Sequence, residues 1–158
     1  MDLAALEKRI RRLEDLEAIK QLKARYAALC DANYDADALA GLFTADAVWD
    51  GGQLGRAEGR EAIRRFFQGS SQRISFAIHN VLNPIIEVAG ETATGTWYLF
   101  QTCTYTDGNR AVWGAATYHD RYVREHEAWK FQHVQITSHF WTPFEDGWAR
   151  TRFIPRRS

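Results

Sequence analysis

The stretch KARYAALCDANYD, residues 23–35, brings a phenol and a carboxylate, Tyr26 and Asp31, to the end of a long helical pattern among small neighbours. It carries more polar atoms than a packing surface needs. Asp31 is either a helix-end carboxylate bonded to nearby backbone N–H groups or a group aimed into a pocket. Its five-residue separation from Tyr26 places the two about 140° apart on an ideal helix. Both reach one pocket only if that pocket wraps the helix end. Asp35, about one turn further on, is the fallback carboxylate. A third candidate, His79, stands alone in the apolar run FAIHNVL. Such a histidine is either a hydrogen-bonded core residue or, since neutral imidazole titrates near physiological pH, a general base.

Other chemistries find less support. His119, Asp120, His126, Glu127, His133 and His139 include metal-ligating types, but no HExxH or paired Cys/His spacing occurs, so no metal or organic cofactor is expected. Gly51, Gly52 and Gly55 have the look of turn glycines, because no strand, Gly-rich loop and Lys-bearing helix follow one another. Cys30 and Cys103 lie in apolar or β-like runs without a CxxC, which predicts buried free thiols in a reducing cytosol. Six Trp residues can line an apolar cavity for a small hydrophobic molecule, with Trp49, Trp97, Trp113 and His133 as candidate pocket walls. Twenty basic residues balance twenty acidic ones, so charge proposes neither nucleic acid nor an anionic membrane as partner. The charged N-terminus lacks a signal-peptide core, and no run approaches the ~20 apolar residues of a membrane span. A soluble cytoplasmic protein is the expectation.

The elements that must position these groups follow from periodicity. Asp2 can cap a helix running to about Asn33, with apolar residues at Leu3, Leu6, Ile10 and Leu13, then Leu16, Ile19, Leu22, Tyr26 and Leu29. The step to Leu16 shifts the stripe, so the two halves pack against different things, and residues 1–15 form a charged helical arm. DADALAGLF predicts a short helix, DAVWDGG a strand ending in a Gly turn, and GREAIRRFF a third helix. Residues 73–88, 92–107, 111–125 and 128–140 are β-branched and aromatic, and the short connections AGE, DGN and EHE suit a meander of hairpins. Pro84 implies a bend, bulge or edge position. In TWYLFQTCTY, one face carries Trp97, Leu99, Gln101, Cys103 and Tyr105. In WKFQHVQITSHF, one parity carries Trp129, Phe131, His133, Gln135, Thr137 and His139, and the other carries Val134, Ile136 and Phe140. Neither sheet face is clearly polar, so the helices should cover one and another copy of the protein the other. The expected architecture is α+β, a single domain over residues 1–158 with residues 141–158 as a C-terminal tail. In it the N-terminal helices pack on a strongly curved antiparallel or mixed sheet, a cone-like barrel with a pocket between the layers.

YAALCD, LFTADAVWDGG, GREAIRRFF, ISFAIHNVLNPIIEVAGETATGTWYL, TYHDRYVREHEAWKFQHVQI and FWTPFEDGW follow one another along the chain. Through them the chain resembles, over about residues 5–148, the SnoaL-like branch of the nuclear-transport-factor-2-like superfamily. That branch includes polyketide cyclases, scytalone dehydratase, bile-acid 7α-dehydratases and a dehydrochlorinase of chlorinated cyclohexanes. LEAIKQLKARY, and ATGTWYL followed by TDG, resemble the bile-acid enzymes, whose functional Tyr, Asp and His fall on Tyr26, Asp31 and His79. The dehydrochlorinase pairing of Asp with His implies Asp31 and His79 again, and its FTP is echoed in Trp141, Thr142 and Pro143. The resemblance therefore implies a cofactor-independent lyase of the dehydratase type, acting on a steroid-like or polyketide-like cyclic substrate. His79 would be the base, Asp31 its orienting carboxylate and Tyr26 the polar assistant. An isomerase or cyclase with Asp31 as acid/base, and a non-catalytic small-molecule binder, remain the alternatives. The lyase relatives suggest a homotrimer, while two apolar sheet faces would serve a dimer equally well.

Overall fold

The computed structural model describes residues 2–155, so Met1 and the last three residues of the expected domain and tail lie outside the described residues. Helix α1 spans Leu3–Asp31, and the Asp2 side chain accepts a hydrogen bond from the Ala5 N–H at 2.8 Å. The break at Leu16 has its expected consequence. From Asp15 onward one stripe is buried, through Ile19, Leu22, Lys23, Tyr26, Ala27 and Cys30. Before it, Leu3 is 71% and Leu13 66% exposed. Hydrogen bonds from the Tyr34 and Asp35 N–H groups back to the Cys30 and Leu29 carbonyls close the helix. The chain turns there through positive φ at Asn33 and Tyr34. Asp35 caps the short α2 (Ala36–Ala40) by accepting from the Ala38 N–H.

Strand β1 (Phe43–Asp50), the three-residue β2 (Arg56–Glu58) and α3 (Arg60–Arg73) follow. Four long strands come next: β3 (Ile74–Ala89), β4 (Thr92–Tyr105), β5 (Arg110–Glu125) and β6 (Ala128–Pro143). A single turn, α4 (Gly147–Arg150), follows them. The sheet order is β2-β1-β6-β5-β4-β3, antiparallel throughout except for the parallel β1–β6 pair. It is a curved open sheet with β2 and β3 at its edges, so the cone does not close into a barrel. Pro84 falls at a register shift between Leu82 and Ile85, with Asn83 at φ 50°. Its missing N–H is tolerated on an edge strand.

Helices α1 and α3 pack on the concave face, where Tyr26, Phe43, Phe67, Tyr118 and Phe131 form the centre of the core. A buried ion pair lies under α1. Lys23 Nζ donates to Asp120 Oδ2 at 2.8 Å, the Tyr122 hydroxyl donates to the same oxygen, and the ammonium rests 3.2 Å from the Tyr118 ring centroid. The parity of β6 departs from strict alternation. Arg121 pairs with His133 but Tyr122 pairs with Phe131, so Gln132 is an extra residue in a β-bulge. The pleat inverts there. Trp129 and Phe131 face the core before the bulge, Val134 and Ile136 after it, and His133 and Gln135 turn to the outer face.

Candidate functional site

Between α1, α3 and the concave face lies a cavity of about 90 Å³. One wall comes from α1 and its C-terminal turn, where Tyr26, Cys30 and Tyr34, spaced four apart, present one face. Phe66, Phe67 and Arg73 of α3 form the second wall, and Leu99, Gln101 and Tyr105 of β4 the floor. Trp49, Tyr118, Ile136 and Trp141 are also part of the lining. Trp141 lies over Gly114, its register partner on β5, where any Cβ would collide with the indole.

His79 reaches this cavity from β3. Its Nδ1 is 2.6 Å from Asp31 Oδ1, and its backbone N–H donates to both Asp31 oxygens, at 2.9 and 3.2 Å. A carboxylate only accepts, so Nδ1 carries the proton in this contact. The other ring nitrogen, Nε2, has no hydrogen-bond partner among the described residues, and in the Nδ1–H tautomer it is an acceptor beside an apolar cavity. Asp31 does not line the cavity. This resolves the 140° offset from Tyr26: the cavity follows the Tyr26–Cys30–Tyr34 face, while Asp31, one residue further round, stands behind the imidazole.

Tyr26 lies deep in the cavity wall, and its hydroxyl oxygen accepts from Trp49 Nε1 at 2.9 Å. The same hydroxyl also hydrogen-bonds with the Tyr118 hydroxyl and the Cys30 thiol, so it belongs to a network in the cavity wall. Burial pushes the Tyr26 and Tyr118 hydroxyls well above the usual phenol range, and those of Tyr34 and Tyr105 upward as well. Such hydroxyls stay protonated and act as hydrogen-bond donors rather than as bases. The same desolvation raises the Cys30 thiol, and raises Cys103 to about 12, so the two buried free cysteines are poor nucleophiles.

Of the four pocket residues expected from sequence, Trp49 lines the cavity and the other three do not. Trp97 faces inward but is core, its Nε1 donating to the Tyr122 hydroxyl at 3.0 Å. Trp113 lies on the outer sheet face against Phe100, Phe140, Phe144 and Trp148, because the inward residues of β5 are the even-numbered ones. His133 is carried outward by the Gln132 bulge, and its Nδ1 accepts from Arg121 at 2.9 Å. His139 also lies outside the cavity, its Nε2 2.7 Å from the Thr117 hydroxyl. Among the described residues no group of three His, Cys, Asp or Glu side chains converges on a metal-sized site. Sequence reasoning missed Tyr34 and Gln101. Tyr34 stacks on Phe67 and meets the His79 ring edge-on at 6.1 Å. The signals were the four-residue spacing from Tyr26 through Cys30, and a lone amide in the apolar parity of β4.

The pattern that defines the SnoaL-like domain matches residues 11–135. Among solved structures, a Novosphingobium aromaticivorans protein provisionally assigned as an aromatic ring hydroxylase superposes with TM-score 0.78 at 28% identity, covering 85% of this chain and 96% of that one. A type 2 hexachlorocyclohexane dehydrochlorinase, LinA, gives 0.79 at 23% identity, with 85% and 92% covered. A protein from N. aromaticivorans provisionally assigned as a scytalone dehydratase gives 0.78 at 22% identity, with 93% and 97% covered.

Proposed function

The chain belongs to the SnoaL-like family, and on that premise we propose that it is a cofactor-independent lyase that eliminates a leaving group from a small hydrophobic cyclic substrate. The observation that carries this reading is the Asp31–His79 contact with Nε2 left free beside an apolar cavity. In the reaction, Nε2 takes a proton from substrate carbon, and the C–H electron pair becomes the new C=C bond. The leaving group departs with its own bonding pair. Asp31 holds the imidazole in the Nδ1–H tautomer and stabilises the imidazolium that forms. The Tyr26 hydroxyl, on turning from the Tyr118 hydroxyl to a bound substrate oxygen, would donate to it and stabilise developing negative charge. When the leaving group is hydroxide, the imidazolium proton completes a water molecule.

Size bears on the substrate. A cavity of ~150 Å³ accommodates benzene. The present ~90 Å³ therefore suits part of a single ring, and a fused steroid-like skeleton enters only if the walls part. An isomerase, which would return the proton to a different carbon, could use the same dyad. Asp31 as the direct acid/base has less support, because both its oxygens are engaged by His79 and it stands outside the cavity.

The test is a panel of small cyclic hydroxyketones and alcohols, with loss of water followed by mass spectrometry and His79→Ala as the control. The wild type should dehydrate at least one member, and His79→Ala should lower kcat by about 10²–10⁴. Activity that survives the substitution would remove His79 as the base.

A further inference from the structure

Gln101 is only 4% exposed, yet it lines the cavity, and its side-chain amide has no hydrogen-bond partner among the described residues. A buried primary amide left unpaired costs about 1–3 kcal/mol. Leu99 and Cys103, two residues to either side on the same face of β4, show that an apolar side chain would pack here. The partner this amide needs must therefore come from the cavity: solvent in the free protein, a ligand group in the complex.

Its position is specific. Gln101 is the register partner of His79 across the β3–β4 pair. Directly opposed residues on one sheet face hold their Cβ atoms about 4.5–5.5 Å apart. The amide and the proposed base thus address the same small molecule at adjacent positions.

We propose that Gln101 is the specificity-determining residue of this site and selects a ring-bound hydroxyl. An amide has two N–H donors and a carbonyl acceptor, and a hydroxyl accepts and donates in turn, so one OH can satisfy both ends. A carbon-bound halogen donates nothing and leaves the amide carbonyl dry. A methyl group leaves both ends dry. The pocket is therefore built for a hydroxylated ring in preference to a halogenated or alkylated one. Combined with the elimination reading, on which it rests only for the identity of the departing group, this makes the chain a dehydratase rather than a dehydrohalogenase.

The test is equilibrium binding of cyclohexanol, chlorocyclohexane and methylcyclohexane, read from the fluorescence of the cavity residues Trp49 and Trp141. The wild type should bind the alcohol ~10-fold or more tightly than either analogue. Gln101→Met, similar in length but without the amide, should bring the three affinities within ~3-fold of one another. Gln101→Asn, which keeps a shortened amide, should retain part of the preference. Equal binding of the three ligands by the wild type, no binding of any of them, or an alcohol preference that persists in Gln101→Met would overturn the assignment. Because the readout is binding, absence of turnover would count against the elimination reading and not against Gln101.

Discussion

At the scale of single residues, Asp31 is held twice by His79, through the ring Nδ1–H and through the backbone N–H. The backbone bond places the carboxylate, and the ring bond uses it to choose a tautomer. These roles separate in a variant. Asp31→Asn keeps the shape but offers an amide that can accept from or donate to Nδ1, so the imidazole is no longer held with Nε2 unprotonated. We expect kcat to fall by about 10²–10⁴ while affinity for a ring alcohol changes less than ~3-fold, measured on a substrate the wild type turns over. An equal loss in binding and in turnover would instead make Asp31 a folding residue of the site.

At the scale of elements, the end of α1 organises the site. The Tyr26–Cys30–Tyr34 face lines the cavity, and the turn through positive φ at Asn33 and Tyr34 brings the Tyr34 ring beside His79. Lys23, one turn before Tyr26, anchors the same helix to β5 through Asp120. Burial lowers the Lys23 pKa and raises that of Asp120, both opposed by their mutual contact. Removing one partner leaves a charge buried without a counter-ion. Lys23→Met should lose about 3–5 kcal/mol of stability in urea denaturation. The double variant Lys23→Met/Asp120→Asn still lets the Tyr122 hydroxyl donate to position 120, and it should recover most of that loss. A double variant no more stable than the single one would show that the pair contributes more than charge compensation.

At the scale of the whole molecule, the outer sheet face exposes a run of large apolar side chains. Phe76, Ile78, Leu82 and Ile85 of β3 and Tyr98 and Phe100 of β4 are exposed, and Phe144 and Trp148 extend the patch near Trp113. Patches of this kind mark interaction surfaces, and self-association with closed symmetry is the commonest solution. Light scattering on the eluting protein should give a whole multiple of the monomer mass, and Ile78→Glu with Phe100→Glu should shift it to the monomer. A wild type that elutes as a monomer at micromolar concentration would rule out a second copy as the cover. No described helix is long and apolar enough to cross a membrane.

The order and type of the first three helices and the main strands were legible in the sequence because they rest on local rules, whereas the three-residue β2 and the single-turn α4 were not expected. Hydrophobic period, the Asp2 cap and the short hairpin connections each act within a few residues. Tyr26, Asp31 and His79 were legible as candidates through resemblance to related lyases. Their contact was not, because Asp31 and His79 are 48 residues apart and meet only when α1 docks on β3. Tertiary structure also decided which way each tryptophan points. Alternation tells that residues two apart share a face, and it does not say which face becomes the core. One extra residue at Gln132 inverted β6 and moved His133 out of the site. The same packing turned Gln101, an ordinary amide in an apolar run, into the polar group facing the cavity beside the proposed base.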